Sequence, residues 1–236
     1  MERISIYIDG GNFYHLVIKK LGIEENNFDF EAFASLLVDG RTQSENCKRF
    51  YKGTVREKEG DLRSRELMSK QTKLFTMLKK DGWEIKTSKL QTRIEELTVD
   101  SRVSEYQKLK KIGIEKIHTE RMREKGIDVK IATDLLVGAF DNKYDTAIVV
   151  SSDSDLIPAI DWIRNRMKKK VEYIGFSIPH KENPEKSTRP LMAMFRKTDV
   201  QRIFSDMEMG KCVRPIPKTL FSGSQESKSK DKKITL

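Results

Sequence analysis

Apolar residues recur along the chain with two different periods. Ile4, Ile6 and Ile8 occupy alternate positions, the signature of a strand over Arg3 to Ile8. Phe13, Leu16, Val17 and Leu21 then fall at helical spacing, and Phe30 to Val38 reads as a second, short helix ending near Gly40. Arg49 to Val55 reads as a strand with a polar exit. Residues 62–80 form a long amphipathic pattern with Leu67, Leu74, Phe75 and Leu78 inward, stopping at Asp81-Gly82 as helices stop. Trp83 to Thr87 is a third expected strand. Between 88 and 125, alternation around Ile94 to Val103 and a charged stretch predict a β-hairpin or arm leaving the sheet, with a solvated charged insertion as the alternative.

The second half repeats the rhythm. Lys125 to Val137 opens a helix, with Ile127, Ile131, Leu135 and Phe140, or their neighbours, facing the sheet. Ala147 to Val150 is wholly apolar and β-rich, which predicts a strand buried on both faces of a helix-covered parallel sheet. Ile157, Ile160 and Ile163 follow at helical spacing, and Val171 to Phe176 is a further strand. A last helix, from Leu191 to Phe195 and onward, leads through Ile203-Phe204 toward an apolar patch near Phe221. Strands alternating with helices predict an α/β fold with a mainly parallel, Rossmann-like central sheet. One domain is expected over 1–221 with an insertion at about 88–125, and the Ser/Lys-rich tail over 222–236 is expected to be disordered.

Charge narrows the partner. Lys and Arg number 46 against 36 Asp and Glu, so 46 − 36 gives +10, and a surplus of this sign favours a polyanion through counterion release. No apolar run approaches a membrane span, and the first strand begins without a secretory apolar region, so a cytoplasmic protein with no membrane partner is expected. Cys47 and Cys212 are too few for a disulfide framework and are not spaced for zinc.

A basic chain that collects acids at strand ends has a reason to hold cations there. Asp153 and Asp155 follow the apolar strand in the run Ser151-Ser-Asp-Ser-Asp155, at the edge where open α/β sheets place ligands. Capping of the next helix is the plain alternative, because Ser and Asp are N-cap residues and acids suit the positive end of a helix dipole. Asp9 has the same placement, at the tip of the first strand before Gly10-Gly11-Asn12, and the glycines permit a tight turn and close approach by a ligand. Asp128 lies in the first turn of its helix, which a right-handed crossover starts at the same edge. Asp134 is six residues on, about 240° around the helix, which suits a supporting hydrogen bond better than the same ion. Clustered carboxylates repel one another unless cations bridge them, and hard oxygen donors without His or Cys point to Mg²⁺ or Mn²⁺. Asp9, Asp128 and Asp153 are the expected metal ligands. These three with Asp155 form the expected catalytic set, and Asn12, Ser152, Asp134 and Lys125 are expected to bind substrate or support the site.

Ile-Asp-Gly-Gly-Asn at 8–12, Lys-Gly-Ile-Asp-Val at 125–129 and Val-Ser-Ser-Asp-Ser-Asp-Leu at 150–156 together resemble the signature blocks of NYN domains, a PIN-like nuclease group. The resemblance runs from the first strand to about residue 205. It implies a PIN-like three-layer α/β/α sandwich and Mg²⁺- or Mn²⁺-dependent cleavage of RNA, single-stranded or structured, by an endoribonuclease. Asp9, Asn12, Asp128, Asp153 and Asp155 fall on the family's acidic and polar positions. Ser152, where the family more often has Gly, and Leu156, where Phe is usual, depart from it. A non-catalytic RNA- or protein-binding module and a receiver-like phosphotransfer domain are the competing readings, and a homo-oligomer is a further expected partner. His15, His118 and His180 are expected to lie outside catalysis, and Trp83 and Tyr173 to be core residues.

Overall fold

A computed structural model of the chain describes residues 2–57, 59–180 and 182–215, without the side chains of 90–93 and 120–124. The expected disordered tail and the patch near Phe221 lie outside the described residues.

The first strand, β1 (Arg3–Asp9), runs directly into α1 (Gly10–Phe13), a π-helical stretch at Tyr14–Ile18 and the closing turn α2 (Lys19–Leu21). Next come α3 (Phe30–Val38), β2 (Thr42–Thr54), α4 (Leu62–Lys80) and β3 (Glu84–Thr98). The insertion holds α5 (Tyr106–Lys111) and β4 (Lys116–Glu124). Then α6 (Ile127–Phe140), β5 (Thr146–Val150), α7 (Ile157–Arg166), β6 (Lys170–Ser177), α8 (Met192–Lys197), β7 (Val200–Ser205) and α9 (Asp206–Gly210) complete the described chain.

The central sheet has the order β3-β2-β1-β5-β6-β7, and every pairing along it is parallel. Alternation sorts its side chains into two cores. Ile4, Ile6, Ile8, Phe50, Ile148 and Val150 face the side covered by α1 through α4, while Tyr7, Tyr51, Ala147, Val149 and Val171 face α6, α7 and α8. All five residues of β5 are buried, as the apolar run Ala147 to Val150 in a central strand requires. The result is the expected three-layer sandwich. Arg3 fixes the foot of β1 to the start of β5, its guanidinium bonding both oxygens of Asp145 at 2.9 and 3.1 Å.

β3 serves two partners. Its first half pairs with β2, from Arg49↔Glu84 to Thr54↔Lys89, and its second half pairs antiparallel with β4, from Leu90↔Glu124 to Thr98↔Lys116. The insertion is therefore a hairpin arm that rises from the carboxyl edge and returns to it at the start of α6.

Four expectations need correcting. β2 begins at Thr42, well before Arg49, because its first residues are polar and largely exposed and leave no apolar signal. β7 occupies a place expected to continue a helix; it is an edge strand in which only Phe204 is buried, so its pattern carries no strand period. Leu67 and Phe140 point outward, 39% and 73% exposed, because Leu74 with Leu78, and Ile131 with Leu135 and Ala139, already fill the contact faces of their helices.

Candidate active site

The chain leaves β1 toward β2 and β3 on one side and returns to β5 on the other, so the strand order reverses between β1 and β5. This is the switch point where doubly wound sheets open a crevice at their carboxyl edge. The register places Ile8 opposite Val150, so Asp9 and Ser151, the next residue of each strand, stand side by side.

Both acidic strand ends begin helical turns. Asp9 caps α1, its Oδ1 accepting from Asn12 N at 2.9 Å, and Asp153 caps the 3₁₀ turn Ser154–Leu156, its Oδ1 accepting from Asp155 N at 2.8 Å. Capping thus occupies one oxygen of each carboxylate. Ser151 links them: its Oγ donates to Asp9 Oδ2 at 3.2 Å and accepts from Asp153 N at 3.2 Å. Asn12 Oδ1 accepts from Ser152 N at 3.1 Å, tying the two loops together and leaving its Nδ2 as a donor.

Asp128 joins this pair from the first turn of α6. The Asp9 carboxyl is pushed up to about 6, first by burial and then by the charges of Asp128 and Asp153, against the lowering hydrogen bonds from Asn12 and Ser151. Asp128 is also raised, by burial, by the charges of Asp153 and Asp155, and by a side-chain hydrogen bond with Asp153. The four aspartates named from sequence therefore feel one another electrostatically, and Asp155 stands exposed at the rim. Among the described residues no three His, Cys, Asp or Glu side chains converge as a metal site. The donor chemistry nevertheless suits a hard divalent cation: a set of carboxylates alone, two of them pushed toward protonation by burial and then by their neighbours, gains from a dication that relieves the repulsion.

The remaining expected residues divide. Asp134 accepts from the buried Tyr51 hydroxyl at 2.7 Å, with Lys86 Nζ 4.0 Å away. Ser152 Oγ pairs with the Tyr173 hydroxyl at 3.0 Å, and that hydroxyl also accepts from Leu191 N at 2.9 Å. Tyr173 and Trp83 are core residues, 0% and 3% exposed. Lys125 is exposed at the foot of the arm, three residues before Asp128. Ser151 was not singled out from sequence; its position opposite the tip of β1 becomes visible only with the strand register. Gly10 has a packing reason beyond the turn: a Cβ there would lie 2.4 and 2.5 Å from the Phe50 ring and 2.9 Å from Tyr51 O.

The family model of the NYN domain matches residues 3–194. The chain belongs to the NYN domain family. NYN domains are part of the PIN-like superfamily and are generally nucleases. The matched span takes in every NYN signature position discussed above, from Asp9 to Asp155, and ends within α8. No curated protein matches the chain. Among solved structures, a protein of unknown function from Vibrio parahaemolyticus RIMD 2210633 is similar, with a TM-score of 0.50 and 19% identity over 87% of this chain and 94% of that one. That likeness shows the fold alone. Among the described residues no helix is long and apolar enough to cross a membrane.

Proposed function

We propose that this NYN domain is a Mg²⁺- or Mn²⁺-dependent endoribonuclease. The single observation that carries the proposal is the meeting at the switch point of Asp9, whose Oδ2 accepts from Ser151 Oγ at 3.2 Å, and Asp153, whose amide donates to that same Oγ at 3.2 Å, with Asp128 adding its charge from a third segment of the chain. A purely structural cap gains nothing from two further acids beside it.

Asp9, Asp128 and Asp153 would hold the cation, each with hard oxygen donors. When bound, the ion would supply positive charge against the scissile phosphate and acidify attacking water. Asp155, exposed at the rim, would orient that water. Asn12 would donate from Nδ2 to a phosphate oxygen while its Oδ1 holds the loop after β5 in place. Ser151 positions both Asp9 and the turn that carries Asp153. Lys125 would meet substrate phosphate where the arm rejoins the sheet. Asp134 and Ser152 support the site, Asp134 through Tyr51 and Ser152 through Tyr173.

Labelled single-stranded RNA incubated with Mn²⁺ tests this directly. Cleavage by the wild type and its loss in Asp153→Asn are expected. Equal cleavage by both proteins would remove the assigned site, and metal-independent RNA binding without turnover would favour a binding module.

A further inference from the structure

Beside the acids, on the same carboxyl edge, a groove of about 440 Å³ opens between the helical stretch after β1, the loop over 23–26, the end of β2 and α4. Its size is that of a small-ligand pocket. Gly11 lines it, two residues from Asp9 and within the helix that Asp9 caps.

Its walls have the chemistry of a base site. Tyr14 is 37% exposed in the groove, with Lys52 Nζ 5.3 Å from its ring centroid. Leu67, one of the residues turned away from the core, supplies an apolar wall. Asn26 also lines the groove, its Nδ2 donating to Lys70 O at 3.3 Å. An aromatic face beside an apolar wall is the usual platform for an unpaired base.

His15 is shared with an adjoining hollow of about 310 Å³ lined by Lys19, Lys20 and His180. His180 Nδ1 accepts from Glu182 N at 3.3 Å and Asn183 N at 3.2 Å, which assigns any ring proton to Nε2 and makes that atom a donor. Lys20 is held by the carbonyl of Lys186. Lys19 and Lys20 supply the positive charge a phosphate subsite requires, while burial, with Lys19 and Lys52, lowers the pKa of His15 and keeps it a neutral hydrogen-bonding group. The π-helical turn at Tyr14–Ile18 sets Tyr14 and His15 at this junction, and such turns recur at functional sites.

We propose that the groove takes one unpaired nucleobase of the RNA strand and the basic hollow takes an adjacent phosphate, holding single-stranded substrate beside the acidic cluster. The inference rests on RNA being the substrate and adds where a base is held. Paired bases are excluded, since the stacking face must be free.

The test is binding of a fluorescein-labelled ribo-oligonucleotide of roughly ten nucleotides, read by anisotropy with EDTA present so that turnover does not contribute. Tyr14→Ala, and Leu67→Trp, which fills the groove from an exposed position, should each weaken binding by about 5- to 100-fold. An abasic ribose at one position should cost the wild type a similar factor and cost Tyr14→Ala almost nothing more. Wild-type affinity in both variants, or an abasic loss undiminished in Tyr14→Ala, overturns the subsite. A cleavage assay on the same proteins separates the two proposals. Turnover with unaltered groove variants overturns the subsite alone, and groove-dependent binding without turnover overturns the nuclease reading and supports the subsite.

Discussion

Ser151 Oγ donates to Asp9 Oδ2 at 3.2 Å across 142 residues of sequence, joining the tips of the two strands between which the sheet changes direction. The same oxygen accepts the amide of Asp153, so one buried hydroxyl sets the spacing of two acids. Ser151→Ala is expected to lower cleavage about 10- to 100-fold, as loss of a partner behind a ligand does, with little change in fold because the volume is nearly kept. It also removes a bond that favours ionised Asp9, so an NMR titration should place the Asp9 carboxyl higher still. An unchanged rate and titration would show the hydroxyl to be incidental.

Asp9 gives a pH signature. Its carboxyl titrates near 6 in the folded chain against an ordinary 3.8, so the folded state holds the proton more tightly. Stability is therefore unaffected by this group at low pH, falls as pH rises through the interval between the two values, and carries the full cost above it. In chelator, Asp9→Asn should be more stable than the wild type above about pH 7, by about 1 to 3 kcal/mol, and indistinguishable below about pH 4. Added Mg²⁺ should raise the wild-type melting temperature and leave that of Asp9→Asn nearly fixed. Thermal melts across pH, with and without the cation, check both statements.

Gly10→Ala should destabilise the protein by about 1 to 3 kcal/mol through overpacking. The added methyl meets the Phe50 ring and the carbonyl of Tyr51, neither of which can retreat from the sheet. Because α1 begins at this residue, cleavage should fall with stability. Gly22→Ala is a control of opposite character: nothing lies within 4 Å of its Cβ, and strain comes only from its φ of +68°. Denaturant melts of the pair separate contact from backbone strain.

Tyr51→Phe removes the hydroxyl that bonds Asp134 at 2.7 Å inside the core between the sheet and α6. A loss of about 1 to 2 kcal/mol is expected, since the carboxylate loses a buried donor. Metal affinity should hold, because Asp134 lies six residues and about 240° around α6 from Asp128. A fall in Mn²⁺ affinity in this variant would return Asp134 to the ligand set.

What the sequence determined was local. The change from period two to helical spacing after Ile8 and after Val150 put Asp9 and Asp153 at strand ends, and the crossover rule put Asp128, in the first turn of its helix, at the same edge, because such signals arise within a few residues of chain. Strands with an apolar face were legible; β7 and the first part of β2 were not, since solvent covers most of their side chains and leaves no alternation to read. The tertiary structure decided the rest. Register alone sets Ser151 against Asp9, packing of α6 on β2 gives Asp134 to Tyr51, and filled helix faces turn Leu67 and Phe140 to solvent. Such pairings depend on which strand lies beside which, a choice made by burying two faces of one sheet together and not by any window of sequence.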